Sequence, residues 1–414
     1  MTRSPRPSCC CLLFALLGVA ALTPAASGQG SVSDSAIVAT DPKVHQIVAA
    51  DTAFGFAVLG QLNKAAPDGN VFFSPFGISD ALTLALDGAG GSTRYDMAVV
   101  LGVGTMAPEQ INRANVLLLS SFARVDPKTQ VSVANALWAG KDSRFSPSFT
   151  DHGRRFYAAR VQSLDFASPS AAGIINAWVK DSTRGKIDSL FSPSDLVGMS
   201  AVLTNAVYFQ GRWQTPFLKS ATKSGLFTLE TGATKTLPMM AQTETFPYLD
   251  TPEFQAAALP YGNARLSLYV FLPKTGHDLD GFVGSLNAGT WEGWVAAMNA
   301  SRVDLTLPRF KVDYTATLNP ALTALGMGSA FTPTADFTPM GLRGSFFSAV
   351  VHKAVLEVDE EGTVAAAATA GGLSGGFGPP PVVAVMHVDH PFFCAIRDNV
   401  TGTVLFAGLI RDPD

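Results

Sequence analysis

The chain has almost no cysteine. Of its four, Cys9, Cys10 and Cys11 cluster near the N-terminus and only Cys394 follows, so the body of the chain cannot rest on a disulfide framework and its stability must come from packing. Charge is also scarce: charged residues make up 15% against 47% hydrophobic, and 29 Lys and Arg against 33 Asp and Glu give a net charge of -4. No cluster of Lys and Arg stands out, which removes the electrostatic footprint of a nucleic-acid or acidic-membrane partner. The apolar content excludes a disordered or fibrous chain. Past Leu22 there is no run of about 18 apolar residues, the least that spans a bilayer. The 414 residues suit two or three average domains or one large one.

Arg3 and Arg6 precede an apolar stretch from Leu12 to Leu22 and the small residues Ala25, Ala26 and Ser27, which is the pattern of an export signal. Residues 1–27 are therefore expected to be removed, residues 28–43 to form a loose leader and 44–412 to form the folded domain. An uncleaved N-terminal anchor is the competing reading. The expected location is extracellular, or periplasmic for a Gram-negative source.

Spacing of apolar residues predicts helices over Lys43–Lys64, Ser79–Leu86, Ser92–Leu101 and Asn176–Ile187, and a further helix starting at Pro320. Gln130–Trp138, Ala201–Phe209 and Leu266–Leu272 read as strands, the last two buried. Helices come early and strands late, an α+β order rather than a regular strand-helix alternation. From Val350 to Asp359, Val350, His352, Ala354, Leu356 and Val358 share one face of a strand, while Lys353, Glu357 and Asp359 lie on the other. The character then changes: Gly362 to Ala370 is a run of small residues, and Gly371 to Pro381 is rich in Gly and Pro. Two β-like segments, Pro391–Arg397 and Thr403–Ile410, close the chain.

Blocks spread over nearly the whole chain carry a family likeness. They are Asn70-Val71-Phe72-Phe73-Ser74-Pro75, Ile175-Asn176-Ala177-Trp178-Val179, Thr183-Arg184-Gly185-Lys186-Ile187, Leu203-Thr204-Asn205-Ala206-Val207-Tyr208-Phe209 with Gly211-Arg212-Trp213, and Leu307-Pro308-Arg309-Phe310. His352-Lys353-Ala354 leading into Glu360-Glu361-Gly362-Thr363, and Val388-Asp389-His390-Pro391-Phe392-Phe393, are the strongest. In this order and spacing the chain resembles the serpin family. The resemblance implies a monomeric α+β serpin fold with three β-sheets, about eight or nine helices and an exposed reactive-centre loop over about 362–385. It further implies a suicide-substrate inhibitor that forms a covalent acyl complex with a serine-type peptidase, or alternatively a cysteine peptidase, and that needs no cofactor or metal.

Inhibitory members carry small, uncharged side chains in the loop hinge, because that segment must enter the middle of a sheet. The resemblance places the hinge at Glu360, Gly362, Thr363, Ala365, Ala366, Ala367 and Ala368, and from Gly362 on these are small and uncharged. By the same resemblance Ser74, Asn205 and His352 match positions that hydrogen-bond beneath the central sheet and control its opening, and Trp213 matches one at the end where insertion starts. Counting from Glu360 places the attacked bond after Gly376, next to Phe377, whereas counting back from Pro391 places it near Pro380. Leu373 and Phe377 are the large apolar side chains of the stretch, and no Lys or Arg lies in it. The target expected is thus chymotrypsin-, elastase- or subtilisin-like rather than trypsin-like.

Three other readings compete. Ser220-Ala221-Thr222-Lys223 and Lys274-Thr275-Gly276 imitate motifs of serine β-lactamases and penicillin-binding proteins, but no Ser-Asp-Asn element lies between them. His387 and His390 suggest a metal pair, yet no third ligand is evident. A non-inhibitory serpin serving as carrier, chaperone or storage protein is the alternative within the family; the glycines after Gly371 favour it and the small hinge residues oppose it. Asn299 and Asn399 begin formal glycosylation motifs.

Overall fold

The apolar run that begins at Ala201 forms a strand buried along nearly its whole length, as expected of a strand covered on both faces. Residues 34–123, 125–363 and 383–413 are described in the computed structural model of the chain. In chain order the strands are β1 (Val71–Phe73), β2 (Thr129–Gly140), β3 (Arg160–Leu164), β4 (Ala201–Arg212), β5 (Lys223–Thr228), β6 (Thr234–Asp250), β7 (Phe254–Pro260) and β8 (Leu266–Pro273). They continue as β9 (Asn299–Pro308), β10 (Phe310–Thr317), β11 (Phe347–Val358), β12 (Gly362–Thr363), β13 (Ala384–His387), β14 (Phe392–Asp398) and β15 (Val404–Ile410).

One sheet runs β10-β11-β4-β2-β3, with the short β12 added at the end of β4. Its central pair, β11 and β4, is parallel, from Phe347 opposite Ala201 to Val355 opposite Tyr208. The other strands join in the order β1-β15-β14-β8-β7-β6-β9-β13, with β5 on β6. Where three sheets are expected, backbone pairing links two of them, because β6 is 17 residues long. Its last residues pair with β7, while most of its length pairs with β9. A strand that long twists enough to serve two blades of different orientation.

Two helices cover the faces of the central sheet. The helix Pro75–Asp87 is buried from Pro75 to Leu86, as its apolar residues on every side require. It starts where Ser74 Oγ accepts from the Gly77 backbone N–H at 3.0 Å, a capping arrangement that satisfies one orphan donor. On the opposite face, Ala171, Ala172, Ile175 and Val179 of the helix Ser170–Ser182 join clusters that include Trp138, Val202, Val351 and Val355. The outward face of β11 is therefore covered as well as the inward one, and only Lys353 and Glu357 of that face reach solvent.

Several expectations need correction. The leader expected to be loose contains the helix Asp34–Thr40, whose Val38 is 1% exposed. The helix expected over Asn176–Ile187 ends at Ser182, where Arg184 and Gly185 both adopt positive φ and break the helical path. The ten α-helical segments among the described residues agree with the about eight or nine expected once Asp34–Thr40 and the single turn Asn319–Leu322 are set aside. The expected signal, residues 1–27, lies outside the described residues. Within them no helix is long and apolar enough to cross a membrane. Cys394 is fully buried, and burial pushes its thiol far up, so the thiolate that reactions need is suppressed.

Candidate hinge and sheet-opening site

Three of the residues expected to control sheet opening meet beneath the β4–β11 seam. His352 and Asn205 are directly opposite in the parallel register, and their side chains point to the inner layer, where Ser74 begins the buried helix. The Ser74 backbone N–H donates to His352 Nε2 at 3.1 Å, and His352 Nδ1–H donates to Asn205 Oδ1 at 2.7 Å. A ring that accepts at one nitrogen and donates at the other is neutral. Burial, which disfavours the cation, pushes its pKa down to about 3.

The chain of donors goes on through residues that sequence reasoning missed. Asn205 Nδ2 donates to Asn135 Oδ1 at 2.6 Å, and Asn135 Nδ2 donates to Asp80 Oδ2 at 2.6 Å. Every link points the same way, from the Ser74 backbone to a carboxylate on the same helix. All four side chains from His352 to Asp80 are at most 2% exposed. Asn135 sits in the alternating strand Gln130–Trp138, and a polar residue on the buried face of that strand was the signal available.

The hinge end is held by a second set of contacts. After β11 the chain turns at Asp359, whose Oδ1 accepts from the Glu361 and Gly362 N–H groups at 2.9 and 3.2 Å. Gly362 then adopts φ +140, and a Cβ there would meet Gly211 O at 2.1 Å; only glycine fits. The reversed chain pairs antiparallel with β4, Gly362 opposite Arg212 and Thr363 opposite Gly211. Thr363 is fully buried and its hydroxyl shares a hydrogen bond of 3.1 Å with the Tyr261 hydroxyl. Tyr261 stacks on Trp213 at 4.4 Å between centroids, and Trp213 Nε1–H donates to Asp359 O at 2.8 Å. Trp213 thus braces the turn that follows β11.

Glu360 is the anchor of that turn. Its Oε1 accepts from Arg309 Nε at 2.9 Å, from Arg309 Nη2 at 2.5 Å and from Thr222 Oγ1 at 2.5 Å. Burial works against the charge of Glu360, but the Arg309 and Thr222 hydrogen bonds outweigh it and hold the carboxyl below its usual range. Because the folded pKa is depressed, this stabilisation is present above the ordinary glutamate pKa and is lost as pH falls through the lowered value. Arg309 stood in a quoted motif and Thr222 in the β-lactamase-like one; their common role depends on strands far apart in sequence. Glu360→Gln is expected to free the hinge and at least double the rate of spontaneous conversion to oligomers or an inserted form. Native gels after mild heating measure it.

Ala365, Ala366, Ala367, Ala368, Leu373, Gly376 and Phe377 lie outside the described residues. The rival motifs come to little in space. Ser220 is exposed on the 3-10 turn Lys219–Ala221, and Thr222 is engaged by Glu360. His387 is exposed on β13. His390 bonds Asp389 Oδ1 at 2.8 Å and Pro273 O at 2.7 Å. Among the described residues no group of three metal-ligating side chains occurs. The Asn399 amide is already engaged with Tyr269, Ala264 and Ser267.

The chain is similar to known proteins in both sequence and fold. The family model for Serpin (serine protease inhibitor) matches residues 49–413. A leukocyte elastase inhibitor from Sus scrofa is 36% identical over 383 residues, covering 89% of this chain and 100% of that protein. The leukocyte elastase inhibitor of Homo sapiens is 34% identical with the same coverage. Among solved structures, human thyroxine-binding globulin superposes with a TM-score of 0.82 at 26% identity over 90% of this chain and 99% of that one. The thermophilic serpin tengpin, in its native state, gives 0.82 at 27% over 90% and 95%. A seam closed by a buried polar relay, a hinge turned onto the adjoining strand, and sequence likeness over almost the whole chain make this protein a member of the serpin family.

Proposed function

We propose that the chain is an exported suicide-substrate inhibitor of serine-type endopeptidases of chymotrypsin, elastase or subtilisin preference. A peptidase attacks the reactive-centre loop, forms an ester to the loop carbonyl and releases the new amine; the cleaved loop then enters the β4–β11 seam before water completes hydrolysis. Both the reaction and its outcome are those of the family. The observation that carries the reading is the seam itself. β4 and β11 are parallel neighbours, and β12 already lies antiparallel on β4, so an incoming strand can pair antiparallel with both.

Continuing the β12 register would set Ala365 opposite Phe209, Ala367 opposite Val207 and Thr369 opposite Asn205. Those positions face the inner layer, which explains why small side chains suit them. Each added hydrogen bond is worth about 0.5–1.5 kcal/mol net, and roughly a dozen inserted residues release on the order of 10 kcal/mol. That suffices to distort a captured active site. The relatives named as elastase inhibitors support a peptidase partner, and the signal-like residues 1–27 support export.

Incubation with chymotrypsin, elastase, subtilisin and trypsin, followed by a denaturing gel and mass analysis of the released peptide, tests the proposal. A complex stable to denaturation with one of the first three is expected, with cleavage near Gly376 or Phe377. Complete turnover by all four without complex would favour the carrier reading.

A further inference from the structure

Two buried carboxylates lie in the helical layer beneath the central sheet. Asp51, on the helix Pro42–Ala65, is 5% exposed, and Asp80, on the helix Pro75–Asp87, is 2% exposed. Asp51 Oδ1 accepts a short hydrogen bond from Ser79 Oγ. Asp80 Oδ2 accepts from Asn135 and is the last acceptor of the relay that starts at Ser74, whereas Asp80 Oδ1 has no partner. Among the described residues no Lys or Arg side chain is seen to hydrogen-bond or ion-pair with either carboxylate.

We propose that Asp51 and Asp80 form a proton-holding pair that keeps the central sheet closed while the proton is present and speeds sheet opening when it is lost. This regulation rests on the insertion mechanism proposed above. The physical argument is desolvation: Asp51 is bonded to Ser79, the residue next to Asp80, and two anions so placed in a dry interior repel with no compensating charge. With Oδ2 occupied by Asn135, the unpartnered Oδ1 is the atom of Asp80 free to carry a proton without breaking the relay. Parting β4 from β11 breaks the His352–Asn205 link and lets water reach the layer beneath, which relieves the ionised pair. Loss of the proton therefore lowers the cost of opening.

The surrounding titratable groups do not supply the missing cation. His352 on β11 is held neutral by burial. From the helix Pro147–Tyr157, the Tyr157 hydroxyl lies 2.9 Å from Asp87 Oδ2 and 2.5 Å from Asn112 Oδ1, sharing its one proton between them. His152 of that helix is bonded to Asp87 at 2.8 Å, and Asn112 lies 3.3 Å from its ring. Asp87 adds negative charge to this side. The helix Pro108–Phe122 contributes only the amides Asn112 and Asn115, and Asn115 Nδ2 is itself without a partner. In keeping with this, burial pushes Asp51 up to about 7. Burial, and then the charge of Asp51, push Asp80 well above the carboxylate range.

A synthetic peptide with the sequence of residues 363–374 serves as the probe, because its entry into the seam needs no peptidase. Between pH 6 and 8.5 its rate of incorporation into the full chain is expected to rise about tenfold, the equivalent of one unit of pKa difference between closed and opening states. Asp51→Asn is expected to flatten that rise to within about twofold. Ser79→Ala, a milder change, removes a hydrogen bond that favours the anion, so the midpoint should move to higher pH. Equal pH slopes in wild type and Asp51→Asn, with normal peptide entry and an unmoved midpoint in Ser79→Ala, would overturn the pair and leave the insertion mechanism standing. Entry of the peptide into none of the proteins at any pH would overturn both.

Discussion

Thr363→Arg is expected to turn the protein from an inhibitor into a substrate. Thr363 is the last described residue of the hinge, fully buried against Tyr261 and opposite Gly211. A guanidinium at that point has no carboxylate to meet among Trp213, Phe209 and Tyr261, which surround one another in stacked and edge contacts. Burying an unpaired charge there costs at least about 3 kcal/mol, so the arginine drives the hinge off β4 in the intact molecule and must be buried again on insertion, which slows roughly a hundredfold while hydrolysis of the ester is unchanged. Moles of inhibitor consumed per mole of peptidase should climb by more than about tenfold, and the complex on a denaturing gel should vanish, whereas Thr363→Ser should behave as wild type. An undiminished yield of complex from the arginine variant would count heavily against an inserting hinge.

The largest effect on stability is expected at Asn205. Asn205→Ala strands two buried groups, the His352 Nδ1–H and the Asn135 Oδ1, each worth about 1–3 kcal/mol when left unpaired. The midpoint of urea unfolding should fall by the equivalent of about 2–6 kcal/mol, and the sheet should open more readily. Oligomers or an inserted form should then accumulate at temperatures where wild type is stable. His352 adds a pH signature to the same relay. Its folded pKa, about 3, is depressed from 6.5, so the folded state binds fewer protons between those values and stability is lost as pH falls through that window. His352→Gln should remove that acid slope; an unchanged slope would mean that another group carries it.

Much of this fold could be read from the residues because local patterns and global packing agree. The β11 strand was legible because Val350, His352, Ala354, Leu356 and Val358 alternate with charged neighbours, and β4 because apolar residues run without a break. Both are consequences of which faces are covered. The start of the buried helix was drawn at Ser79, yet Ser74 and Pro75 already held the cap, the ordinary sign of a helix N-terminus. The end of the helix Ser170–Ser182 was missed because Arg184 takes a positive φ that its side chain does not advertise. The relay was legible only in part: Ser74, Asn205 and His352 came from motifs, while Asn135, Asp80, Asp51 and Tyr261 act through contacts between elements far apart in sequence. A buried carboxylate such as Asp80 looks like any surface aspartate until the helix carrying it is seen to be enclosed on all sides.

Metastability is the claim on which all of this depends, and cutting the loop tests it most directly. A nick between Leu373 and Pro380 by a peptidase that is not itself trapped frees the hinge segment to enter the seam between β4 and β11. The account predicts a higher melting temperature for the nicked protein, by roughly 10 °C or more if on the order of 10 kcal/mol is released in a chain of this size. A melting temperature equal to or below that of the intact protein would contradict it.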